Sequence, residues 1–559
     1  MHVTVDFDVD VPMRDGTRLR ANVYRPEGDG RWPVLLTRLP YGKDLPIGSG
    51  LLDPVQAARR GYVVMIQDTR GRFMSEGEFR PFESEAKDSF DTVAWAAQQP
   101  YSDGNVGTFG ASYFGFTQWG AAVEQAPALK AMVPFVSVGE PLDGVAFRGG
   151  ALEFGTAASW GLMMGLDQLV RQHRTDPQKL GAAIVGLCRE MDALGTEGYW
   201  SLPLGEFEPL RRQPVSPMFF ERIADPLNPE RLAVVSMRDK YAKVNVPTFN
   251  VGGWFDIFLS STIRSFNEMR RQGKPTKLLI GPWTHVSRGS LTGDLNFGFG
   301  SQLSFINLQM DFGRLQLRWF DHWLKGIDTG MMAEPPVRIF VMGANVWRDE
   351  QEFPLARAAA TPFYLRKDGQ LSRAAPAAGE PSDCFVYDPA NPVPTLGGAT
   401  LLTPEFPPGP LDQREIEARP DVLTFTTEVL REDTEVTGPV EVKLWACTTA
   451  PATDFVARLV DVFPDGHAYN LTDGIIRAER LEPNRPYEHT IDLWATSNVF
   501  KAGHRIRLQV TSSCFPRWDR NPNTGKPLGS DAELRTAQQT IVHDAEHASH
   551  VVLPLVPRA

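Results

Sequence analysis

Along the first 140 residues, short continuous apolar runs alternate with amphipathic ones. Pro33–Leu39 and Tyr62–Gln67 are apolar runs bounded by turn residues, and Val106–Phe109 and Met132–Val136 are two more. Between them, Ala86–Ala97 places Phe90, Val93, Ala94 and Ala97 on one face at helical spacing. Continuous apolar strands alternating with helices predict a parallel sheet covered on both faces. From about Gly139 to Val246 the pattern changes. Leu152–Val170 and Pro177–Leu194 read as helices rich in Gly, Ala, Met and Leu, and no strand run is apparent. Strands resume at Pro247–Val251, Lys277–Ile280 and Val337–Val341, and Ile306–Lys325 reads as one long amphipathic helix. The helical stretch is therefore expected to be a cap inserted over the strand ends of an α/β domain. Leu355–Pro362 reads as a linker. Beyond it, β-branched runs such as Val440–Trp445, Phe455–Val462 and Arg505–Val510, separated by Pro and Gly, predict an all-β sandwich. The expected division is residues 1–140 and 247–350 for the α/β domain, 141–246 for the cap and 351–559 for the sandwich.

Composition narrows the function classes. With 57 Lys+Arg against 68 Asp+Glu the net charge is −11, and no basic block is present, so a phosphate-backbone binder is not expected. A hydrophobic content of 42% with 22% charged residues is that of a globular chain able to bury a large core. Cys188, Cys384, Cys447 and Cys514 show no CxxC spacing, which argues against a disulfide scaffold and a cysteine zinc site. The opening residues lack the basic and apolar regions of a leader, and no apolar run reaches the roughly 18 residues of a spanning helix. A soluble cytoplasmic protein without a membrane partner is expected.

The segment that carries chemistry is Asn105–Gly115, where Gly110-Ala-Ser112-Tyr-Phe-Gly115 follows a strand and precedes a helix. A nucleophile elbow has this construction, with small residues where strand and helix nearly touch, although the usual G-x-S-x-G is one residue shorter. An elbow serine needs an acid and a base in the chain order Ser, Asp, His. Asp256 follows a strand in Gly252-Gly-Trp-Phe-Asp256, and His285 follows the next in Gly281-Pro-Trp-Thr-His285. Both lie past carboxyl ends of parallel strands, where open α/β sheets place their sites. In these roles His285 takes the Ser112 proton, and Asp256 holds the imidazole tautomer.

These motifs, with Val11–Gly16, Leu39–Lys43, Asp68–Phe73, Ser75–Gly77, Gly409–Gln413, Asp454–Val462, Asn470–Gly474 and Pro516–Asp519, resemble the cocaine esterase and X-prolyl dipeptidyl aminopeptidase superfamily of serine hydrolases. The resemblance spans nearly the whole chain. It implies an α/β-hydrolase domain, a helical cap and a jelly-roll sandwich. It also implies an oxyanion hole made by the Tyr41 hydroxyl and the Tyr113 backbone N–H, meeting the need for two pre-aimed donors. By the same resemblance, Phe258 and Trp160 are expected to enclose an acyl group, with Leu402 closing the pocket. The residues after Asp256 are the apolar Ile257, Phe258 and Leu259. A substrate ammonium there would be unpaired, at a cost of several kcal/mol, so an apolar acyl group is expected.

No cofactor or metal is expected. There is no Walker A or G-x-G-x-x-G motif, and His543, His547 and His550 lack the glutamate of H-E-x-x-H. Arg70 and Arg72 with Asp68 and Glu76 read as a charge network near the site. The leading expectation is a serine hydrolase of small esters, with amides as a further substrate class. X-Pro dipeptidyl cleavage is the runner-up, and sugar binding through the jelly roll is the alternative of a different class. The expected partner is a small-molecule substrate, and homodimerisation stays open.

Overall fold

The computed structural model of the protein describes residues 2–213, 217–308 and 310–558. The chain opens with strands β1 (Val3–Pro12), β2 (Arg18–Pro26), β3 (Trp32–Leu39), β4 (Val63–Asp68), β5 (Ser102–Ala111) and β6 (Leu129–Phe135). A two-residue hairpin follows, β7 (Phe147–Arg148) and β8 (Ala151–Leu152), then β9 (Thr248–Phe255) and β10 (Thr276–Thr284). A second hairpin, β11 (Leu291–Thr292) and β12 (Leu295–Asn296), precedes β13 (Val337–Val341) and β14 (Val346–Glu350). Ten of these form one sheet in the order β1-β2-β4-β3-β5-β6-β9-β10-β13-β14. The run from β4 to β13 is parallel throughout, with antiparallel strands at both edges. β4 is buried at every position, as a strand covered on both faces must be.

The α-helices before β13 are α1 (Pro54–Arg59), α2 (Glu85–Ala97), α3 (Tyr113–Val123), α4 (Phe154–Met163), α5 (Gly165–His173), α6 (Pro177–Leu194), α7 (Glu208–Arg212), α8 (Pro217–Ala224), α9 (Pro229–Val235), α10 (Leu259–Arg271) and α11 (Phe312–Lys325). Those from α4 to α9 lie between β6 and β9 in the chain. Three expectations change in detail. The stretch thought free of strands contains the β7–β8 hairpin, too short for its alternation to register. The long amphipathic helix begins at Phe312 rather than Ile306, because Asp311 caps it by accepting the Arg314 N–H at 2.9 Å. On α2 the buried residues are Glu85, Asp88, Ser89, Thr92, Val93 and Ala96, while Phe90, Ala94 and Ala97 are only half-buried.

The reason for that rotation is charge. Buried Arg38 on β3 donates to Glu85 Oε2 at 2.9 Å and to Ser89 Oγ at 2.6 Å. Arg70 donates to Asp88 at 2.7 Å and to Asp15 at 2.9 Å. Burial raises the Glu85 carboxyl pKa, against the pull of Arg38.

Beyond β14 the strands are β15 (Ala359–Arg366), β16 (Gln370–Ser372), β17 (Asp383–Tyr387), β18 (Leu423–Thr426), β19 (Thr434–Thr448), β20 (Ala452–Val462), β21 (Ala468–Glu479), β22 (Tyr487–Phe500), β23 (Arg505–Thr511), β24 (Ala537–Val542) and β25 (His550–Val556). They pair in the order β17-β24-β19-β25-β15-β16-β18-β23-β20-β21, with β22 on β19. The expected linker is shorter than its composition suggests, since Ala359 to Pro362 already pair with β25. One apolar core joins Trp254, Phe266, Leu278 and Ile339 of the α/β sheet region to Val442, Leu459, Leu493 and Leu508 of the sandwich.

The β7–β8 hairpin is the other junction. The Arg477 N–H donates to the Gly149 carbonyl at 2.7 Å, and the Leu152 N–H to Asp519 Oδ1 at 2.8 Å. Arg148 donates to the Asp473 carbonyl, and its guanidinium lies 3.7 Å from the centre of the Trp494 ring. Arg517 donates to Asp473 Oδ1 at 2.7 Å, and Trp518 to Glu153 at 2.9 Å.

The buried Arg38–Glu85 pair makes a stability prediction. Arg38→Met strands a buried carboxylate and should cost about 3–5 kcal/mol of unfolding free energy in a denaturant titration. Arg38→Met/Glu85→Gln should recover much of that loss. A loss below about 1 kcal/mol in the single variant would show that Glu85 does not depend on Arg38.

Candidate active site

Ser112 stands at the turn from β5 to α3, with φ 57° and ψ −123°. A non-glycine residue is held there only against a cost of roughly 1–3 kcal/mol. The Ser112 N–H donates to the Phe135 and Val136 carbonyls at 2.9 and 3.2 Å, and its own carbonyl accepts the Gly115 and Phe116 N–H groups. A Cβ on Gly115 would lie 2.7 Å from Ser137 Cβ, so glycine is needed where α3 crosses the chain leaving β6. This explains the extra residue in the motif. Phe114 takes the nearer position, and its ring packs edge-on against Tyr41 at 6.2 Å.

Asp256 and His285 follow directly on β9 and β10. Gly253 and Gly281 are register partners on these strands, and a Cβ on Gly253 would come within 2.3 Å of the Trp283 carbonyl oxygen. The strand ends therefore approach more closely than side chains would permit. His285 Nδ1 lies 2.7 Å from Asp256 Oδ1, and His285 Nε2 lies 3.0 Å from Ser112 Oγ. Asp256 is fully buried, and its second oxygen accepts the Phe258 N–H at 3.1 Å. An ionised carboxylate only accepts, so Nδ1 carries the proton and Nε2 offers its lone pair to Ser112. The arrangement can move a proton from the serine to the ring, with a carboxylate facing the imidazolium that forms.

Tyr41 lies in the loop after β3, half-buried as a residue but with its hydroxyl enclosed. Burial raises its pKa, and hydrogen bonds with Trp160 and Ser112 act the other way. Trp160 Nε1 donates to the hydroxyl at 3.2 Å. Buried charge pins this loop. The Lys43 N–H donates to Asp68 Oδ1 at 2.7 Å, and the Lys43 ammonium contacts Asp44 at 2.9 Å and Asp8 at 2.7 Å. Burial pushes the Asp68 carboxyl up to about 7. Arg72 donates to the Pro40 carbonyl and, across to the cap, to the Met164 carbonyl, each at 2.9 Å.

Tyr113 opens α3, so its N–H has no helical acceptor. Its side chain is turned away and held, with the hydroxyl donating to Glu85 at 2.8 Å and accepting the Phe82 N–H at 2.9 Å. Phe258 meets the His285 ring edge-on at 5.2 Å. Trp160 on α4 stacks with Phe82 at 6.3 Å and with Tyr113 at 6.4 Å. Leu402 rests over Gly155, where a Cβ would meet it at 2.3 Å, while its neighbour Leu401 packs on the cluster of Tyr113, Phe258 and Trp160. Phe79, Phe82 and Phe116 also belong to this cluster and are additions to the expected set. The only trace of the first two is a pair of phenylalanines in an otherwise charged stretch, Glu78–Glu85.

Elsewhere, His543, His547 and His550 turn to separate partners: Asp383 at 2.8 Å, Asp544 at 3.2 Å and the Ala548 carbonyl at 2.7 Å. No helix among the described residues is long and apolar enough to cross a membrane.

Comparison with known proteins agrees with this architecture. Residues 15–287 match the profile of the X-Pro dipeptidyl-peptidase (S15 family), and residues 329–552 match the X-Pro dipeptidyl-peptidase C-terminal non-catalytic domain. A cocaine esterase from Rhodococcus sp. (strain MB1 Bresler) is 38% identical, covering 99% of both chains. Among solved structures, an aminopeptidase from a marine sediment Thaumarchaeota archaeon matches with a TM-score of 0.82 at 26% identity, covering 99% of this chain and 97% of that one. An α-amino-acid ester hydrolase matches with a TM-score of 0.81 at 25% identity, covering 99% and 96%. The chain therefore belongs to the cocaine esterase and X-prolyl dipeptidyl aminopeptidase superfamily of serine hydrolases, peptidase family S15.

Proposed function

We propose that the protein hydrolyses small carboxylic esters through an acyl-enzyme on Ser112, with His285 as base and Asp256 as its orienting acid. The observation that carries this reading is the hydrogen-bonded line from Ser112 Oγ to His285 Nε2 at 3.0 Å and from His285 Nδ1 to Asp256 at 2.7 Å. Ser112 Oγ attacks the ester carbonyl as its proton passes to Nε2. The oxyanion is met by the Tyr41 hydroxyl and the Tyr113 N–H. Collapse expels the alcohol, which takes the proton from the ring, and water repeats the sequence in reverse on the acyl-enzyme. Phe258, Trp160, Phe82 and Leu401 offer the acyl group an apolar, aromatic surround.

Ester cleavage is supported by the ester-hydrolase names of two of the proteins above. Peptide cleavage after proline is the second reading, favoured by the family's name, with the aminopeptidase above in keeping with peptide substrates. Ile257 and Phe258, buried beside Asp256, offer a peptide ammonium no charge. Cytoplasmic residence is proposed as well. All four cysteines are free thiols, and Cys188 and Cys384 are exposed.

Four measurements test the reading. Ser112→Ala should remove roughly 10⁶ of kcat while leaving the unfolding transition in place. Retention of a tenth of the esterase activity would exclude the serine. Asp256→Asn should lower kcat roughly 10⁴-fold by favouring the wrong tautomer. A near-normal rate would show that another group orients His285. Tyr41→Phe should lower kcat roughly 10²–10³-fold with little change in KM, since the hydroxyl acts mainly once charge develops. A panel of acyl p-nitrophenyl esters beside Ala-Pro-p-nitroanilide then ranks the two substrate classes. Faster turnover of the anilide would replace the ester assignment.

A further inference from the structure

We propose that Trp160 is a positioning residue: its indole N–H sets which way the Tyr41 hydroxyl proton points, so that the cap aims the oxyanion donor. This rests on the oxyanion reading of Tyr41. The contact is Trp160 Nε1 to the Tyr41 hydroxyl at 3.2 Å, across 119 residues of sequence. Indole nitrogen is a donor only, so the tyrosine oxygen must accept there. A phenol has one proton to give. With its oxygen engaged by the indole, that proton is left for the other polar partner, Ser112. That is the side on which an ester carbonyl bound at Ser112 Oγ develops negative charge. The nearby Arg72 carries donors alone and cannot draw the tyrosine proton away.

The indole is itself held in place. Its plane lies within 20° of Phe82 and 19° of Tyr113, two rings packed together on one side of it. Tyr113 is fixed in turn by Glu85, at the buried Arg38–Glu85 pair. A swinging N–H could not select a hydroxyl orientation, and this one is seated against a pair of rings that are themselves stacked at 4.5 Å. Donors aimed before charge develops need no reorganisation during the reaction. If Trp160 were merely a wall for the acyl group, removing its N–H would change KM, and more so for larger acyl groups. As a positioning residue it should change kcat irrespective of acyl size.

The test is a double-mutant cycle on p-nitrophenyl acetate, whose acyl group is too short to need a wall. Trp160→Phe should lower kcat roughly 3- to 10-fold, the range for one lost hydrogen bond, with KM within about twofold. In a Tyr41→Phe background the same substitution should change kcat by less than about twofold, because no hydroxyl remains to orient. Should Trp160→Phe melt early, benzothienylalanine introduced at 160 by codon suppression keeps the bicyclic ring and removes only the N–H. An equal fall in both backgrounds, or a rise in KM alone, overturns the positioning role while leaving Tyr41 in the oxyanion site. A silent Tyr41→Phe overturns both together.

Discussion

The site depends first on one strained backbone conformation, Ser112 at φ 57°. Nothing in a serine favours it, so it must be imposed by neighbours. Two carbonyls at the end of β6 hold the Ser112 N–H, and α3 starts at once from the serine carbonyl. The required glycine at 115 lets that helix lie against the chain leaving β6. Parallel strands alone would bring Ser112, Asp256 and His285 to one edge of the sheet. The strained turn converts that proximity into a 3.0 Å contact.

Around this turn the structure uses buried charge where packing alone would leave freedom. The loop carrying Tyr41 is tied by Asp68 from below and by Arg72 from the side. Arg72 reaches two backbone carbonyls on different elements through two separate nitrogens of its planar guanidinium. Asp68, Arg70 and Arg72 fall within five consecutive residues, so a compact stretch of sequence braces the loop after β3, α2 and the cap together.

What the sequence made legible and what it did not divide along a physical line. Ser112, Asp256 and His285 stood out because each follows a strand and sits among glycines and tryptophans that close approach demands. These are local constraints, written in adjacent residues. The inward face of α2 was misread because burial there follows Arg38 and Arg70, on strands and loops distant in sequence. The β7–β8 hairpin has no β-branched residue and pairs over only two residues a strand, while the start of β15 takes its strand form from β25, far along the chain. Leu401, in an irregular segment, could not be picked out beside Leu402, because only tertiary contact decides what such a side chain packs on. The Trp160–Tyr41 hydrogen bond joins two elements whose relative placement no periodicity encodes.

The hairpin at Phe147–Leu152 belongs to the cap by chain order, yet its backbone is hydrogen-bonded to residues after β20. Arg148, Arg517 and Asp473 share a buried interior there, and Glu153 holds Trp518. Such a cluster has no tolerance for one foreign member, since an unmatched buried charge costs several kcal/mol. Recombination of this protein with relatives therefore has a natural unit that does not follow the linear domain order. A chimera that exchanges the sandwich must carry residues 147–153 with it, and one cut cleanly between cap and sandwich would bring together surfaces that never met.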